Sequence, residues 1–138
     1  MPKNLILKNS ELNILANFLF KPILTKKIIT LSGELGAGKT TLAKEICKVL
    51  QVYDEVTSPS YNILNIYESE NGPIYHYDLY RIKEKNEIEN IAIDDAFSNY
   101  ITLIEWPELI KDILPKDNIR IKIRDYANDK REYIIDGI

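Results

Sequence analysis

A glycine-rich segment followed by lysine and threonine is the part of this sequence with the clearest chemistry. Residues 33–40 read Gly-Glu-Leu-Gly-Ala-Gly-Lys-Thr, which matches the pattern G-x-x-x-x-G-K-[ST] of a phosphate-binding loop. Its glycines let the backbone curl so that N–H groups point at phosphate oxygens. Lys39 would reach the β- and γ-phosphates, and the Thr40 hydroxyl would hold Mg²⁺. The sequence therefore predicts a nucleotide-binding site.

Two carboxylates are candidates to complete a magnesium site with Thr40. Glu105 directly follows an apolar run, where a buried strand would end, and ligands of open α/β sheets gather at that edge. Asp78 lies in a run whose alternate residues, among them His76, share one face of a strand. Either carboxylate could instead lie on a solvated strand edge. We interpret His76 as a hydrogen-bonded structural histidine and not as a base.

Three other features have both a functional and a simpler interpretation. Thr57 and Ser58 could sense the γ-phosphate, or they could form a Ser/Thr/Pro turn without function. Trp106 could be a core residue, or a stacking or docking group beside the site. The basic residues late in the chain could be a solvated face or a partner surface, and Lys130 and Arg131 could form a lip over the nucleotide.

The segments that flank the glycine-rich loop distinguish a nucleotide site from a turn that matches the pattern by accident. An apolar run with the character of a buried strand precedes the loop. One apolar helical face follows it, made by Leu42, Ile46, Val49 and Leu50. The positive end of that helix would point at the bound phosphates. We therefore predict a strand, a loop and a helix in this order.

The rest of the chain predicts an α/β sandwich with a mixed sheet, because hairpins occur among crossover units. A first helix starts near Glu11 and is expected to end at Pro22. Asn71-Gly72 indicates a hairpin. The further predicted elements are strands at 61–67, 74–80 and 100–104, loosely helical structure at 84–97, a short helix at 108–113 after Pro107, and a hairpin that joins 119–124 to 132–135.

Composition limits the class of protein. The 138 residues, 45% apolar and 28% charged, predict one globular domain over residues 1–138. A net charge of −3 argues against a protein that holds nucleic acid unaided. The single cysteine, Cys47, excludes an internal disulfide and a cysteine zinc site, and we expect it to be buried. The chain has no apolar run of membrane-spanning length and no signal-peptide pattern at its start, so we expect a cytoplasmic location.

Four segments together resemble a known family. GELGAGKTT (33–41), VTSPSYNI (56–63), YHYDLYRI (75–82) and IEWPE (104–108) occur in this order and at spacings similar to those of the bacterial TsaE proteins, formerly YjeE. Those small P-loop ATPases are needed to make N6-threonylcarbamoyladenosine at position 37 of tRNAs that read codons beginning with adenosine. The resemblance covers nearly the whole chain and implies the family's three-layer α/β fold.

The resemblance also implies ligands and partners. The chain would bind ATP or ADP with Mg²⁺ and hydrolyse ATP slowly by itself. Hydrolysis would rise in a complex with TsaB and TsaD, of which TsaD transfers the threonylcarbamoyl group to tRNA. We expect contact with tRNA only through these partners.

The resemblance assigns roles to individual residues. It makes Lys39, Asp78 and Glu105 catalytic, and it makes Thr40 and Glu105 the metal-binding residues. The nucleotide-binding residues would be Glu11, Leu35, Gly36, Ala37, Gly38, Lys39, Thr40, Thr41, Thr57, Ser58, Trp106 and Arg131.

Two alternatives to a hydrolysing subunit stay open. A small-molecule P-loop kinase needs a pocket for its acceptor and usually arginines over the phosphates. Arg81 is the only arginine before Arg120, which weakens that alternative. The second alternative is a switch that uses ATP only to gate assembly, without turnover.

Overall fold

The computed structural model describes residues 3–59, 62–84, 86–88 and 92–138. Helices and strands are mixed along the chain, as the α/β class requires. The elements are β1 (Lys3–Lys8), a 3₁₀ turn (Asn9–Glu11), α1 (Leu12–Lys26), β2 (Ile28–Ser32), α2 (Lys39–Val49), β3 (Leu64–Tyr67), β4 (Ile74–Asp78), α3 (Ile93–Asn99), β5 (Ile101–Glu105), a 3₁₀ turn (Pro107–Ile110), β6 (Ile119–Tyr126) and β7 (Lys130–Asp136).

The strands form one mixed sheet in the order β1-β7-β6-β2-β5-β4-β3. β2 pairs in parallel with β5 and β6, and β4 pairs in parallel with β5. The pairs β1–β7, β6–β7 and β3–β4 are antiparallel, which confirms both predicted hairpins. Because β2, β4 and β5 run in the same direction, their carboxyl ends meet at one edge of the sheet.

Helices cover both faces of the sheet, and the apolar clusters beneath them differ in size. Successive residues of β2 point to opposite faces, so that Ile29 joins the apolar cluster under α1 and α2, while Ile28 joins the cluster under α3. The first cluster is the larger and contains the fully buried Cys47, as expected from the sequence. The 3₁₀ turn at Pro107–Ile110 contributes Ile110 to the second cluster. The architecture confirms the predicted three-layer α/β sandwich.

The prediction that Pro22 ends the first helix is wrong. Pro22 lies inside α1, which continues to Lys26. A proline inside a helix removes one backbone hydrogen bond. Ile23 directly follows it and is 1% exposed on the apolar face of the helix, so its burial offsets that loss. The helix ends where Lys27 adopts a left-handed conformation at φ 70° and donates its N–H to the Ile23 carbonyl oxygen.

Other boundaries differ from the predictions more modestly. The sequence analysis missed β1, an edge strand that pairs only with β7 and whose apolar residues do not alternate strictly. The helix expected at 108–113 is instead a 3₁₀ turn at Pro107–Ile110, opened by its proline as predicted. The predicted start of β3 at position 61, and positions 85 and 89–91 of the expected helical segment, lie outside the described residues.

Membrane insertion through a helix finds no support in the fold. Among the helices of the described residues, none combines the length and the apolar character needed to cross a bilayer.

Candidate functional site

The glycine-rich loop connects β2 to α2 at the edge where the parallel strands end. Gly38 precedes α2 with φ 100°, a left-handed conformation that favours glycine. A Cβ atom on Gly33 would lie 2.7 Å from the carbonyl oxygen of Ile123, so the loop can pass close to β6 only with glycine there. The first N–H groups of α2 have no partners within the helix. Loop and helix thus form a concave backbone surface suited to an anion.

Lys39 is the first residue of α2, and its ammonium group is held over the loop. Nζ donates to the backbone oxygens of Gly33 and Glu34, both at 2.8 Å. It also lies 4.2 Å from the ring centroid of Trp106, a cation–π distance. Burial lowers the pKa of Lys39 from its ordinary value, and the carboxylates of Glu105, Asp78 and Glu108 oppose that shift. The Lys39 ammonium group is therefore held against the backbone of the loop.

Thr40 and Glu105 contact each other directly across the loop. The Thr40 hydroxyl lies 2.8 Å from Glu105 Oε1 and 3.1 Å from Oε2, and it donates to that carboxylate. Glu105 is the last residue of β5 and is only 2% exposed. Its Oε2 also lies 2.6 Å from His76 Nε2. His76 is fully buried and hydrogen-bonded, as its interpretation as a hydrogen-bonded histidine predicted, and its exclusion as a base stays a prediction.

Asp78 ends β4 directly beside Glu105. The two residues are register partners in the parallel pair β4–β5, which places their side chains on the same face. Asp78 is 6% exposed, and its Oδ1 accepts a hydrogen bond from the Tyr80 backbone N–H at 3.0 Å. Two carboxylates at the carboxyl ends of adjacent strands therefore face the same cavity as a hydroxyl at the start of α2.

These groups line a cavity of about 300 Å³. Its lining residues are Asn9, Leu35, Gly36, Gly38, Lys39, Thr40, Thr41, Asp78, Glu105, Trp106 and Arg131. A larger cavity of about 830 Å³ lies on the other side of the loop, toward β6. Lys39, Thr40 and the two carboxylates do not line the larger cavity, so the residues predicted to bind phosphate and metal face the smaller one.

The oxygens in the smaller cavity suit Mg²⁺ that is shared with a nucleotide. Mg²⁺ prefers oxygen ligands, and it is usually held by one or two carboxylates together with substrate phosphates and water. Thr40 and Glu105 offer a hydroxyl and a carboxylate within hydrogen-bond distance of each other. Over the described residues, no three His, Cys, Asp or Glu side chains converge to hold a metal without other ligands. The donor set therefore fits a metal that arrives with phosphate.

Trp106 and Arg131 form the rim of the cavity. Trp106 has a left-handed backbone at φ 59°, which is strained for a residue other than glycine, and its ring lies 4.7 Å from that of Tyr80. The Arg131 guanidinium lies against Gly38, and its Nη1 donates to Asn9 Oδ1 at 3.3 Å. The hairpin β6–β7 thus carries a second cation over the loop.

Four residues predicted to contact the nucleotide do not line this cavity. Glu11 instead accepts a hydrogen bond from the Lys8 backbone N–H at 2.9 Å. Thr57 and Ser58 are exposed in the segment between α2 and β3. Their nucleotide contacts stay predictions, and Ala37 lies in the same loop, facing the larger cavity.

The sequence analysis missed Asn9, which is close to the predicted Glu11 in the chain. It reaches the cavity because the 3₁₀ turn at Asn9–Glu11 precedes α1. A polar residue at the start of the predicted first helix was the available signal.

Comparison with known proteins now places the chain. Residues 6–133 match the family model described as "Threonylcarbamoyl adenosine biosynthesis protein TsaE". The chain belongs to the TsaE family. A relative from Rickettsia conorii, named tRNA threonylcarbamoyladenosine biosynthesis protein TsaE, is 38% identical over 122 residues, which cover 88% of this chain and 70% of the relative. The Bacillus subtilis protein of the same name is 37% identical over 106 residues, 76% of this chain and 66% of its own.

A solved structure supports the same fold. The crystal structure of Bacillus subtilis YdiB superposes with a TM-score of 0.67 at 29% sequence identity. The match covers 98% of this chain and 86% of that one. The resemblance expected from four short segments is thus confirmed over most of the chain, and TsaE membership connects it with tRNA threonylcarbamoyladenosine biosynthesis.

Proposed function

We propose that this TsaE-family chain binds ATP or ADP with Mg²⁺ and hydrolyses ATP to drive formation of N6-threonylcarbamoyladenosine at position 37 of tRNAs that read codons beginning with adenosine. The observation that carries the proposal is the convergence of Lys39, Thr40, Asp78 and Glu105 on one small cavity. A P-loop alone would account for binding. Turnover also needs a carboxylate at the metal and a residue that orients the attacking water, and the two buried carboxylates beside the loop can fill these roles.

Backbone and lysine together bind the phosphates. The free N–H groups at the start of α2 and the glycine-rich loop surround the β- and γ-phosphates, and Lys39 Nζ exchanges its two carbonyl partners for phosphate oxygens. Arg131 adds positive charge from the opposite rim. An arginine over the phosphates stabilises charge that develops during transfer.

Thr40 and Glu105 would hold Mg²⁺, with Glu105 acting directly or through a water molecule. When bound, the metal neutralises charge on the phosphate oxygens. The Thr40–Glu105 hydrogen bond keeps both oxygens at one place, so that little reorganisation is needed on binding. Asp78, on the same face of the neighbouring strand, orients the attacking water molecule by accepting its hydrogen bond.

The partners of this ATPase are the proteins that carry out the transfer to tRNA. We propose that TsaB and TsaD bind the chain and stimulate its hydrolysis, in the cytoplasm. A net charge of −3 disfavours unaided binding of the tRNA backbone, so the contact with tRNA is through those partners.

Measuring hydrolysis with and without partners tests this function. ATP hydrolysis is followed for the chain alone, with TsaB and TsaD from the same source, and then with tRNA added. We expect slow hydrolysis alone and marked stimulation by the two proteins. Lys39→Ala should abolish the stimulated activity, whereas Lys44→Ala, a control at an exposed lysine on the same helix, should retain it.

Two results would contradict the proposal. Phosphate transfer to a small metabolite, with no response to TsaB and TsaD, would identify a kinase. Full tRNA modification by an Asp78→Ala variant that no longer hydrolyses ATP would identify a switch that needs binding only.

A further inference from the structure

A continuous series of polar contacts leads from the candidate metal site to the segment that follows α2. Thr40 donates to Glu105, and Glu105 Oε2 lies 2.6 Å from His76 Nε2. His76 Nδ1 lies 3.1 Å from the Tyr67 hydroxyl, which in turn donates to the Thr57 backbone oxygen at 3.0 Å. The series crosses β5, β4 and β3 in order, because these strands are neighbours in the sheet.

The intermediate groups are shielded from water. Tyr67 is 4% exposed, His76 0% and Glu105 2%. A buried polar group that loses its partner cannot replace it with solvent, and the loss is costly. Movement of one group in the series is therefore passed to the next, in contrast to the behaviour of exposed hydrogen bonds.

Thr57 lies at the exposed end of the series. Its side chain is exposed, but its carbonyl oxygen accepts from Tyr67, and Asn65 Nδ2 lies 3.3 Å from both the carbonyl and the hydroxyl oxygen of Thr57. These hydrogen bonds to Thr57 come from Asn65 and Tyr67 of β3. The tyrosine hydroxyl has one proton and two neighbours able to accept it, the Thr57 oxygen and His76 Nδ1.

We propose that Tyr67 and His76 are positioning residues that couple the segment 55–59 to the carboxylate of Glu105. His76 fixes the orientation of that carboxylate, as outer-shell partners of metal ligands commonly do. Tyr67 connects His76 to the backbone of Thr57. A change at the metal site is thereby transmitted to an exposed segment, and a partner that binds this segment acts back on Glu105, since coupling between two sites is reciprocal. The functional consequence rests on the metal role proposed for Glu105.

A spin label can report the coupling without any nucleotide. Cys47 is the only cysteine and is fully buried, so a nitroxide label would react selectively with an exposed cysteine introduced by Glu55→Cys. Tyr67→Phe removes only the hydroxyl, and Glu105→Gln alters the opposite end of the series. Tyr75→Phe is the matched control, because Tyr75 is on β4 next to His76, points to the other face and stacks on Tyr100.

The expected result is a double-mutant cycle with strong coupling. Tyr67→Phe and Glu105→Gln should each increase the mobility of the label, which narrows the lines of its electron paramagnetic resonance spectrum. The double variant should show no further narrowing. Tyr75→Phe should leave the lines unchanged. Unchanged lines in Glu105→Gln, or narrowing that adds up in the double variant, would overturn the coupling whether or not the chain hydrolyses ATP.

Kinetics separate a positioning role from simple packing. Tyr67→Phe should lower kcat for ATP hydrolysis about tenfold, while the Mg²⁺-free Kd for ADP stays the same. A normal kcat in Tyr67→Phe would overturn the positioning role. Failure of the wild-type chain to bind or hydrolyse ATP would instead contradict the proposed function, and the spin-label cycle would still decide the coupling.

Discussion

The two halves of the candidate site are built in different ways. On the P-loop side, the backbone between β2 and α2 forms the site, and local sequence determines its shape: Gly38 has φ 100°, and Lys39 donates to two carbonyl oxygens of its own loop. On the carboxylate side, Asp78 and Glu105 are 27 positions apart in the chain and are brought together by the register of β4 and β5. The half proposed to bind phosphate is thus encoded locally, whereas the half proposed for turnover depends on tertiary structure.

The comparison also extends to the surrounding packing. The helix that carries Lys39 and Thr40 lies over the larger apolar cluster, which includes Leu42, Ala43 and Ile46, all fully buried. The carboxylates have a buried polar series on one side, formed by His76 and Tyr67. We therefore expect substitutions on the P-loop side to act on binding, and substitutions on the carboxylate side to act on metal dependence and rate.

The largest expected effect comes from a substitution on the P-loop side of the candidate site. Lys39→Ala should reduce partner-stimulated ATP hydrolysis by at least about a hundredfold, because it removes the cation at the β- and γ-phosphates. Steady-state phosphate release in the presence of TsaB and TsaD measures this effect. Hydrolysis that stays within twofold of the wild-type rate would show that the loop does not act as a P-loop.

Asp78→Asn should distinguish the carboxylate side of the site from the P-loop side, because it should affect the rate and not the binding of nucleotide. We expect kcat to fall by about a hundredfold while the Kd for ADP changes little, because the amide cannot accept a proton and orients water less well. Asp94→Asn, on an exposed residue in the first turn of α3, is the control and should retain the wild-type rate. A large loss of ADP affinity in Asp78→Asn would place this carboxylate in binding and not in turnover.

A comparison of two glycine substitutions tests whether the backbone of the glycine-rich loop is needed for nucleotide binding. Gly38→Ala and Gly72→Ala both place a side chain at positive φ, at 100° and 90°, so each should lower the free energy of unfolding by about 1–3 kcal/mol. Only the Cβ of Gly38→Ala would meet another group, the Arg131 guanidinium, because a Cβ at position 72 has no atom within 4 Å. ADP affinity should therefore fall in Gly38→Ala alone, as measured by calorimetry. An equal loss in both variants would remove the special role of the loop.

The smallest effect concerns the packing under α2. Burial raises the pKa of Cys47 from 9.0 to about 12. The unfolded chain therefore loses the thiol proton at lower pH than the folded chain. The contribution of the buried thiol to the free energy of unfolding is fully present below pH 9.0, and it is lost as the pH rises toward the pKa of the folded state. Urea unfolding of wild type should show an additional decrease, approaching about 1.4 kcal/mol per pH unit above pH 9, that Cys47→Ala lacks. Parallel pH profiles for the two proteins would contradict the burial of a neutral thiol.

The sequence was most informative where chemistry depends on neighbours in the chain. The spacing of Gly33, Gly38, Lys39 and Thr40 was sufficient to predict the loop, and period-two alternation indicated that His76 and Asp78 share a face. The contact between His76 and Glu105 could not be predicted, because it depends on which strands are neighbours and in what register. Arg131 was only one of several interpretations of the late basic residues, since the hairpin that carries it reaches the loop by tertiary packing.

Local rules failed where burial outweighed them. Pro22 was expected to end a helix, but the apolar face continues through Ile23 and holds the helix together to Lys26. Glu11 is a different case, because its nucleotide contact was implied by the family resemblance and stays a prediction. Its carboxylate accepts from the Lys8 backbone N–H, and Asn9 lines the cavity.

Metal dependence of nucleotide affinity tests the division between the two sides most directly. Calorimetry of ADP binding is done with and without Mg²⁺ for the wild type and for Glu105→Gln, which keeps the size of the side chain but removes its negative charge. We predict tighter binding with Mg²⁺ in the wild type, and an affinity in Glu105→Gln that is the same with and without the metal and equal to the Mg²⁺-free wild-type value. A wild-type affinity that does not respond to Mg²⁺, or a Glu105→Gln variant that still does, would contradict this account.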